Sequence, residues 1–81
     1  MGDVAHRLVG YDRITDRVAD EYGIPGNVMP WAKMLAHVPG DDPGAINRYP
    51  LDEPSARKLA ASVGGIADTV RNAYFLERFE T

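Results

Sequence analysis

Apolar residues recur at helical spacing through the first quarter of the chain. When residues 3–22 are placed at 100° intervals, one arc of about 140° collects apolar side chains and the opposite side collects charged ones. The members of this stripe are Val4, Leu8, Tyr11, Ile14, Val18, Ala19 and Tyr22. Gly23 can adopt the left-handed conformation that ends many helices, and Pro25 cannot continue one. The pattern therefore predicts an amphipathic helix over residues 3–22.

A second helical stripe occupies the last third of the chain. Its apolar side chains span an arc of about 120° when residues 53–79 are placed on a helix. The members are Ala56, Leu59, Val63, Ile66, Ala67, Val70 and Tyr74. Asp52 is a suitable N-cap for this segment. The pattern predicts a helix over residues 53–79 in which Gly64 and Gly65 lie on the polar side, where a kink is compatible with the stripe but not required by it.

Between these segments lies a connection, residues 23–52, that holds most of the prolines of the chain. Asn27 is a reasonable N-cap within it, and Pro30 fits the first turn of a helix because its missing N–H has no partner there. Apolar residues then follow at i, i+3, i+4 and i+7. A short helix over residues 27–38 is therefore expected.

These three segments together predict an all-α fold. Two long antiparallel helices, 3–22 and 53–79, would be joined by the proline-rich connection with its short helix, and all 81 residues would form one domain. Two helices bury only one face each, so association with another protein is expected to complete the bundle.

Charge and composition exclude several classes of protein. Lys plus Arg total 9 and Asp plus Glu total 12, which gives a formal net charge of −3 with both signs mixed along the chain. Nucleic acid is not the expected partner, because affinity for its phosphates rests on Lys and Arg. No apolar run approaches the roughly 18 residues of a membrane span, and the N-terminus has no signal-peptide core. Since cysteine is absent, disulfides are excluded, and a cytoplasmic location without membrane contact is expected.

Signals for catalysis are thin. His6 and His37 are the only imidazoles, and no second ligand stands at the spacing of a zinc site. Ser55 and Ser62 lie outside any nucleophile-elbow motif. The sequence therefore predicts a protein that is not an enzyme and that holds no metal or cofactor.

The C-terminal residues suggest an interface. Phe75, Leu76 and Phe79 project away from the predicted stripe and, with Tyr74, make the last two helical turns apolar nearly all round. A helix of this kind is normally covered on every side. The leading hypothesis is therefore a non-catalytic interaction module or small accessory subunit that docks on a larger protein or on itself, most simply as a homodimer, through these four residues.

Two alternatives remain open. Met29, Trp31 and Met34 could line an apolar ligand pocket, although a core face of the short helix explains them better. The segment 15–34 also resembles the helix-turn-helix of bacterial regulators. The matching positions are Val18, Ala19, Tyr22, Gly23, Ile24, Met29 and Ala32. This resemblance implies a DNA-binding regulator, but Pro30 would fall inside its recognition helix, which carries Lys33 as its one cation.

Overall fold

The computed structural model, which describes residues 4–80 and their side chains over 5–79, forms two layers. A four-stranded antiparallel sheet with the order β2-β1-β4-β3 is one layer, and two helices packed on a single face of the sheet are the other. The elements in chain order are β1 (Val4–Asp12), β2 (Val18–Ile24), α1 (Met29–Leu35), β3 (Tyr49–Leu51), α2 (Glu53–Ser62) and β4 (Asn72–Glu80). The prediction of an all-α bundle is therefore wrong.

The predicted helix over residues 3–22 is a β-hairpin, and its first residue, Asp3, lies outside the described residues. The Asp12 carboxylate accepts the backbone N–H groups of Ile14 at 2.8 Å and Thr15 at 3.0 Å. Asp16 follows with φ at 60°. Such side-chain turns compete with helix formation. As a result Ile14, which the helical stripe counted as buried, is 94% exposed at the hairpin tip.

The predicted helix over residues 53–79 ends at Ser62, and residues 72–80 form a strand instead. Its beginning agrees with the sequence, because Asp52 is the N-cap and accepts the Ser55 N–H. Val63 is its C-cap, and the next residue, Gly64, has φ at +78°. The N–H of Gly65 bonds to the Ala60 carbonyl oxygen at 2.8 Å, and that of Gly64 to the Ala61 carbonyl oxygen at 3.2 Å. This pair of bonds is the Schellman motif, which ends helices at a left-handed glycine.

The short helix lies where the sequence predicts one, but it is confined to residues 29–35. Val28, not Asn27, is its N-cap, and it makes no side-chain capping bond; Pro30 occupies the first turn. The loop that follows winds around the buried carboxylate of Asp42. That carboxylate accepts the backbone N–H groups of Ile46 and Asn47 and the Tyr49 hydroxyl, and the Ile46 bond is the first cause of its lowered pKa.

The core lies between the helices and one face of the sheet. Small residues on the helices let them approach the strands closely. The buried cluster comprises Leu8, Ile24, Leu51, Tyr74 and Leu76 from the strands and Ala32, Ala36, Ala56, Leu59 and Ala60 from the helical layer, together with Ala67. Since side chains alternate between the two faces of a strand, the residues between these positions point to the opposite face.

Candidate interaction surface

The second face of the sheet, which we term the open face, lies opposite the helices. Its centre is formed by alternate residues of β1 and β4, which are paired in register. These are Ala5, Arg7, Val9 and Tyr11 on β1 and Phe79, Glu77, Phe75 and Ala73 on β4. Val9 is 1% exposed although it lies outside the core cluster. A solvated face of an antiparallel sheet is ordinarily polar, whereas this one is centred on aromatic and aliphatic side chains.

Aromatic rings and guanidinium groups stack on this face. Tyr11 and Phe75 meet edge to face, with ring centroids 5.7 Å apart and planes at 74°. The Arg48 guanidinium lies 4.0 Å from the Phe75 ring centroid and 4.6 Å from that of Tyr11. Arg7 lies 4.3 Å from the Phe79 ring centroid. These are cation–π contacts, in which the charge of each arginine is attracted to the face of a ring.

Two acidic residues balance the two arginines. Glu77 pairs with Arg48 at 3.2 Å and accepts the Tyr11 hydroxyl at 2.6 Å. That hydrogen bond is the main reason why the pKa of Tyr11 is raised above its ordinary value, and burial adds to it. Arg7 pairs with Glu21 on the neighbouring strand at 3.1 Å. The open face therefore presents aromatic rings framed by equal numbers of opposite charges.

The four residues predicted as an interface divide between the two faces. Phe75 and Phe79 lie on the open face, whereas Tyr74 and Leu76 are buried in the core of their own chain. Side chains alternate between the two faces of a strand, so neighbouring residues are divided between the faces. The predicted helix would have placed all four residues together at its C-terminal end. Sequence reasoning missed Arg7, Tyr11 and Arg48, because the residues of this face are far apart in sequence. No local signal pointed to the face, since apolar and polar residues do not alternate over residues 73–79.

The predicted ligand-binding cluster does not come together around a cavity. Met29 packs against the core, while Trp31 is 40% and Met34 72% exposed on the outer side of α1. Among the residues that the structure describes, no pocket forms there or elsewhere.

Residues 15–34 also lack the geometry of a helix-turn-helix. Val18–Ile24, which would be its first helix, is strand β2, and only Met29–Leu35 is helical. Gly23, expected to end that first helix, lies within the strand and has no positive φ.

The Tyr74 hydroxyl makes three hydrogen bonds within the chain. It donates to the Asp20 carboxylate at 2.5 Å and accepts the Asp68 backbone N–H at 3.0 Å and the Asn72 side-chain amide at 3.4 Å. Burial, then the bond to Asp20, raises the pKa of Tyr74. With its hydrogen bonds filled from within the chain, this group stabilises the fold and offers no free acid or base.

No metal-binding arrangement was found in the part of the chain that the structure describes. Within residues 4–80, no three His, Asp or Glu side chains converge as metal ligands would. His6 instead holds the loop after α1, because its Nε2 lies 3.1 Å from the Gly44 carbonyl oxygen and 3.3 Å from that of Ala45.

Comparisons of the chain with models of protein families, with curated proteins and with solved structures find no match to any of them. Neither helix in the described range 4–80 has the length and apolar character needed to cross a membrane. The function is therefore inferred from the open face.

Proposed function

We propose that this protein is a non-catalytic interaction module, or a small accessory subunit, that binds a protein partner through the open face of its sheet. The observation that carries the proposal is the group of three aromatic rings, Tyr11, Phe75 and Phe79, on a face that lies opposite both helices. Tyr, Phe and Arg are enriched in the buried centres of protein interfaces, and Arg and Tyr are frequent energetic hot spots.

The stacked arginines support a protein partner in particular. The guanidinium groups of Arg7 and Arg48 are held in place by the rings beneath them and by Glu21 and Glu77. Side chains that are ordered before binding lose less entropy when a partner docks. Because the two arginines are matched by two carboxylates, the face has no excess positive charge with which to hold the phosphates of a nucleic acid. The absence of cysteine fits a reducing compartment such as the cytoplasm.

Fluorine NMR can test this proposal, because the aromatic residues of the chain divide conveniently between its two sides. The sequence contains two phenylalanines, Phe75 and Phe79, and both lie on the open face; its one tryptophan, Trp31, lies on α1. Chain labelled with fluorophenylalanine therefore gives signals from the open face alone, and chain labelled with fluorotryptophan gives a matched control from the helical side.

We expect the fluorophenylalanine signals to shift or broaden when the labelled chain is concentrated or is placed in extract of its source cells, while the fluorotryptophan signal changes less. If the fluorophenylalanine signals stay at their dilute positions under both conditions, the open face is not a binding surface and the proposal is wrong.

A further inference from the structure

Two arginines from different parts of the chain converge on one threonine, at the end of the sheet where β1 stops and β4 begins. Thr69 lies in the loop between α2 and β4 and is 6% exposed. Its carbonyl oxygen accepts a hydrogen bond from Nη2 of Arg13 at 3.0 Å, and its hydroxyl oxygen accepts one from Nη1 of Arg57 at 2.8 Å. Arg13 follows β1, whereas Arg57 lies in the second turn of α2. The two guanidinium groups are therefore held on two oxygen atoms of one residue.

Neither guanidinium group is paired with an acid of its own chain. Among the side chains that the structure describes, no carboxylate oxygen lies within 4.0 Å of the side-chain nitrogen atoms of Arg13 or Arg57. Glu53 precedes Arg57 by four residues on α2, which is the spacing of a helical ion pair, yet Arg57 bonds to Thr69 instead. Two like charges on a shared anchor repel each other, so an anion between them would be stabilised by both.

We propose that Arg13 and Arg57 form a binding site for a phosphate monoester, with Thr69 as the residue that positions them. The inference goes beyond the proposed function, because these three residues lie outside the open face. A phosphate monoester carries close to two negative charges at neutral pH, which matches the two guanidinium groups, whereas a carboxylate or a phosphodiester carries one. A phosphorylated side chain of a protein and a small phosphate ester present the same group, so the test must separate these two sources.

The arginine side chain suits this ligand. Each guanidinium group has five N–H donors in a planar fork, and the bond to Thr69 uses one of them on each arginine. The other donors can form paired hydrogen bonds to phosphate oxygens, a geometry that arginine favours. Arg13 and Arg57 are both exposed, so a phosphate group reaches them without any opening of the fold. Because Thr69 orders both side chains in advance, less entropy is lost on binding.

Three aspartates in the neighbouring loops limit the affinity. Asp12 accepts two backbone N–H groups of the hairpin turn, and Asp68 accepts the Arg71 N–H at 3.2 Å. Asp16 is exposed in the same hairpin turn. These carboxylates weaken the attraction for an anion without contacting the two arginines of the site. We therefore expect a small phosphate monoester to bind with a dissociation constant on the order of 1 mM.

Titration of isotope-labelled chain with glycerol phosphate, followed by NMR at constant ionic strength, tests the site. We expect saturable shifts of the Nε–H signals of Arg13 and Arg57, with a dissociation constant on the order of 1 mM. Arg57→Gln should raise this constant by about tenfold, because it removes one of the two charged donors. Lys58→Gln is the matched control. It removes the same charge from the next position of α2 and should change the constant by less than about twofold, because exposed charges outside the site are screened.

A second variant tests the positioning role of the threonine. Thr69→Val removes the hydroxyl that holds Arg57 but leaves both positive charges in place. It should raise the dissociation constant of glycerol phosphate by about threefold or more, because the hydrogen bond that orders the guanidinium group is lost. Unspecific attraction of the phosphate to positive charge would leave the constant unchanged. Circular dichroism checks that each variant is folded.

Extract of the source cells separates the two sources of the phosphate group. Ultrafiltration divides the extract into macromolecules and small molecules. Shifts of the Arg13 and Arg57 signals in the retained fraction that disappear after phosphatase treatment would assign the group to a phosphorylated protein. The same result in the filtrate would assign it to a small phosphate ester.

Three results would overturn the inference. The first is a shift that grows linearly up to about 50 mM glycerol phosphate, far above the expected dissociation constant. The second is an Arg57→Gln variant that binds glycerol phosphate as tightly as the unaltered chain does. The third is binding of acetate or of dimethyl phosphate, a diester, with the same dissociation constant as glycerol phosphate. None of these results depends on whether the open face binds a partner.

Discussion

Replacing Gly10 by alanine tests the fold at a point where strand β1 closely approaches an aromatic ring. Gly10 stands opposite Tyr74 in the β1–β4 register. A Cβ added at Gly10 would lie 2.5 Å from Cε2 and 2.8 Å from Cζ of the Tyr74 ring. Carbon atoms pack at about 3.5–4.0 Å, so the ring must move by about 1 Å. The ring is buried and its hydroxyl is tied to Asp20 and to the Asp68 N–H, which leaves it little freedom to move.

The expected cost follows from these contacts. Overpacking a core costs about 1–3 kcal/mol, and weakening a hydrogen bond to a charged group costs up to about 1.5–3 kcal/mol. We therefore expect Gly10→Ala to lower the free energy of unfolding by about 2–4 kcal/mol. For a domain of this size the melting temperature should fall by about 10–25 °C.

Gly23→Ala is the matched control, because Gly23 also lies in a strand but has no atom within 4 Å of an added Cβ. It should change the free energy of unfolding by no more than about 0.5 kcal/mol. A helix over residues 3–22 predicts a different result. Gly10→Ala would then raise the free energy of unfolding by about 1 kcal/mol, because alanine is favoured over glycine in a helix interior. Gly23→Ala would lower it, because Gly23 would be the left-handed residue at the helix end. Urea unfolding of both variants decides, and a more stable Gly10→Ala protein would refute the hairpin.

Three other predictions concern the polar groups and helix end that hold the fold together. Tyr74→Phe removes the buried hydroxyl and should lower the free energy of unfolding by about 1–3 kcal/mol. The control Tyr22→Phe loses one exposed hydrogen bond and should lower it by less than about 0.5 kcal/mol. Equal losses in thermal unfolding would contradict the role given to the Tyr74 hydroxyl. Gly64→Ala places a side chain at φ +78° and should lower the free energy of unfolding by about 1–2 kcal/mol; an unchanged urea midpoint would show that α2 does not end there. Hydrogen bonds lower the pKa of Asp12 and Asp42 in the folded state. The contribution of these carboxylates to the free energy of unfolding is therefore complete above the ordinary aspartate pKa of about 3.9 and is lost as the pH falls through the lower folded pKa values. A urea midpoint that stays constant below a pH of about 3.9 would contradict this.

The parts of the fold that sequence could predict are those fixed by local chemistry. Asp52 and Glu53 mark the start of α2, and Pro30 marks the first turn of α1; both signals act within one helical turn. The strands could not be recognised in the same way. Tyr11 and Val18 fit the apolar stripe of a helix as well as a position in a strand. Only the pairing of strands in the folded chain decides between the helical period of 3.6 residues and the strand period of 2.

The candidate surface was partly predictable for the same reason. The sequence predicted Phe75 and Phe79 as interface residues because they are apolar and project away from the predicted helical stripe. Their neighbours on the open face, Tyr11 and Arg48, are 64 and 27 residues away from Phe75 along the sequence, and only the sheet register and the loop before β3 bring them together. Tyr74 and Leu76 were misplaced because a helical period put all four residues on one exposed end.

Sedimentation of a fluorescently labelled chain tests most directly whether the open face binds a partner. The labelled chain, held at trace concentration, is sedimented with excess unlabelled chain or in extract of its source cells. We predict faster sedimentation in at least one of these mixtures, and its loss in the double variant Phe75→Ser, Phe79→Ser, which should keep its circular dichroism. The control Trp31→Ser, Met34→Ser removes two exposed apolar side chains from α1 and should sediment like the unaltered chain. A Phe75→Ser, Phe79→Ser variant that sediments as fast as the unaltered chain in every mixture would contradict the account.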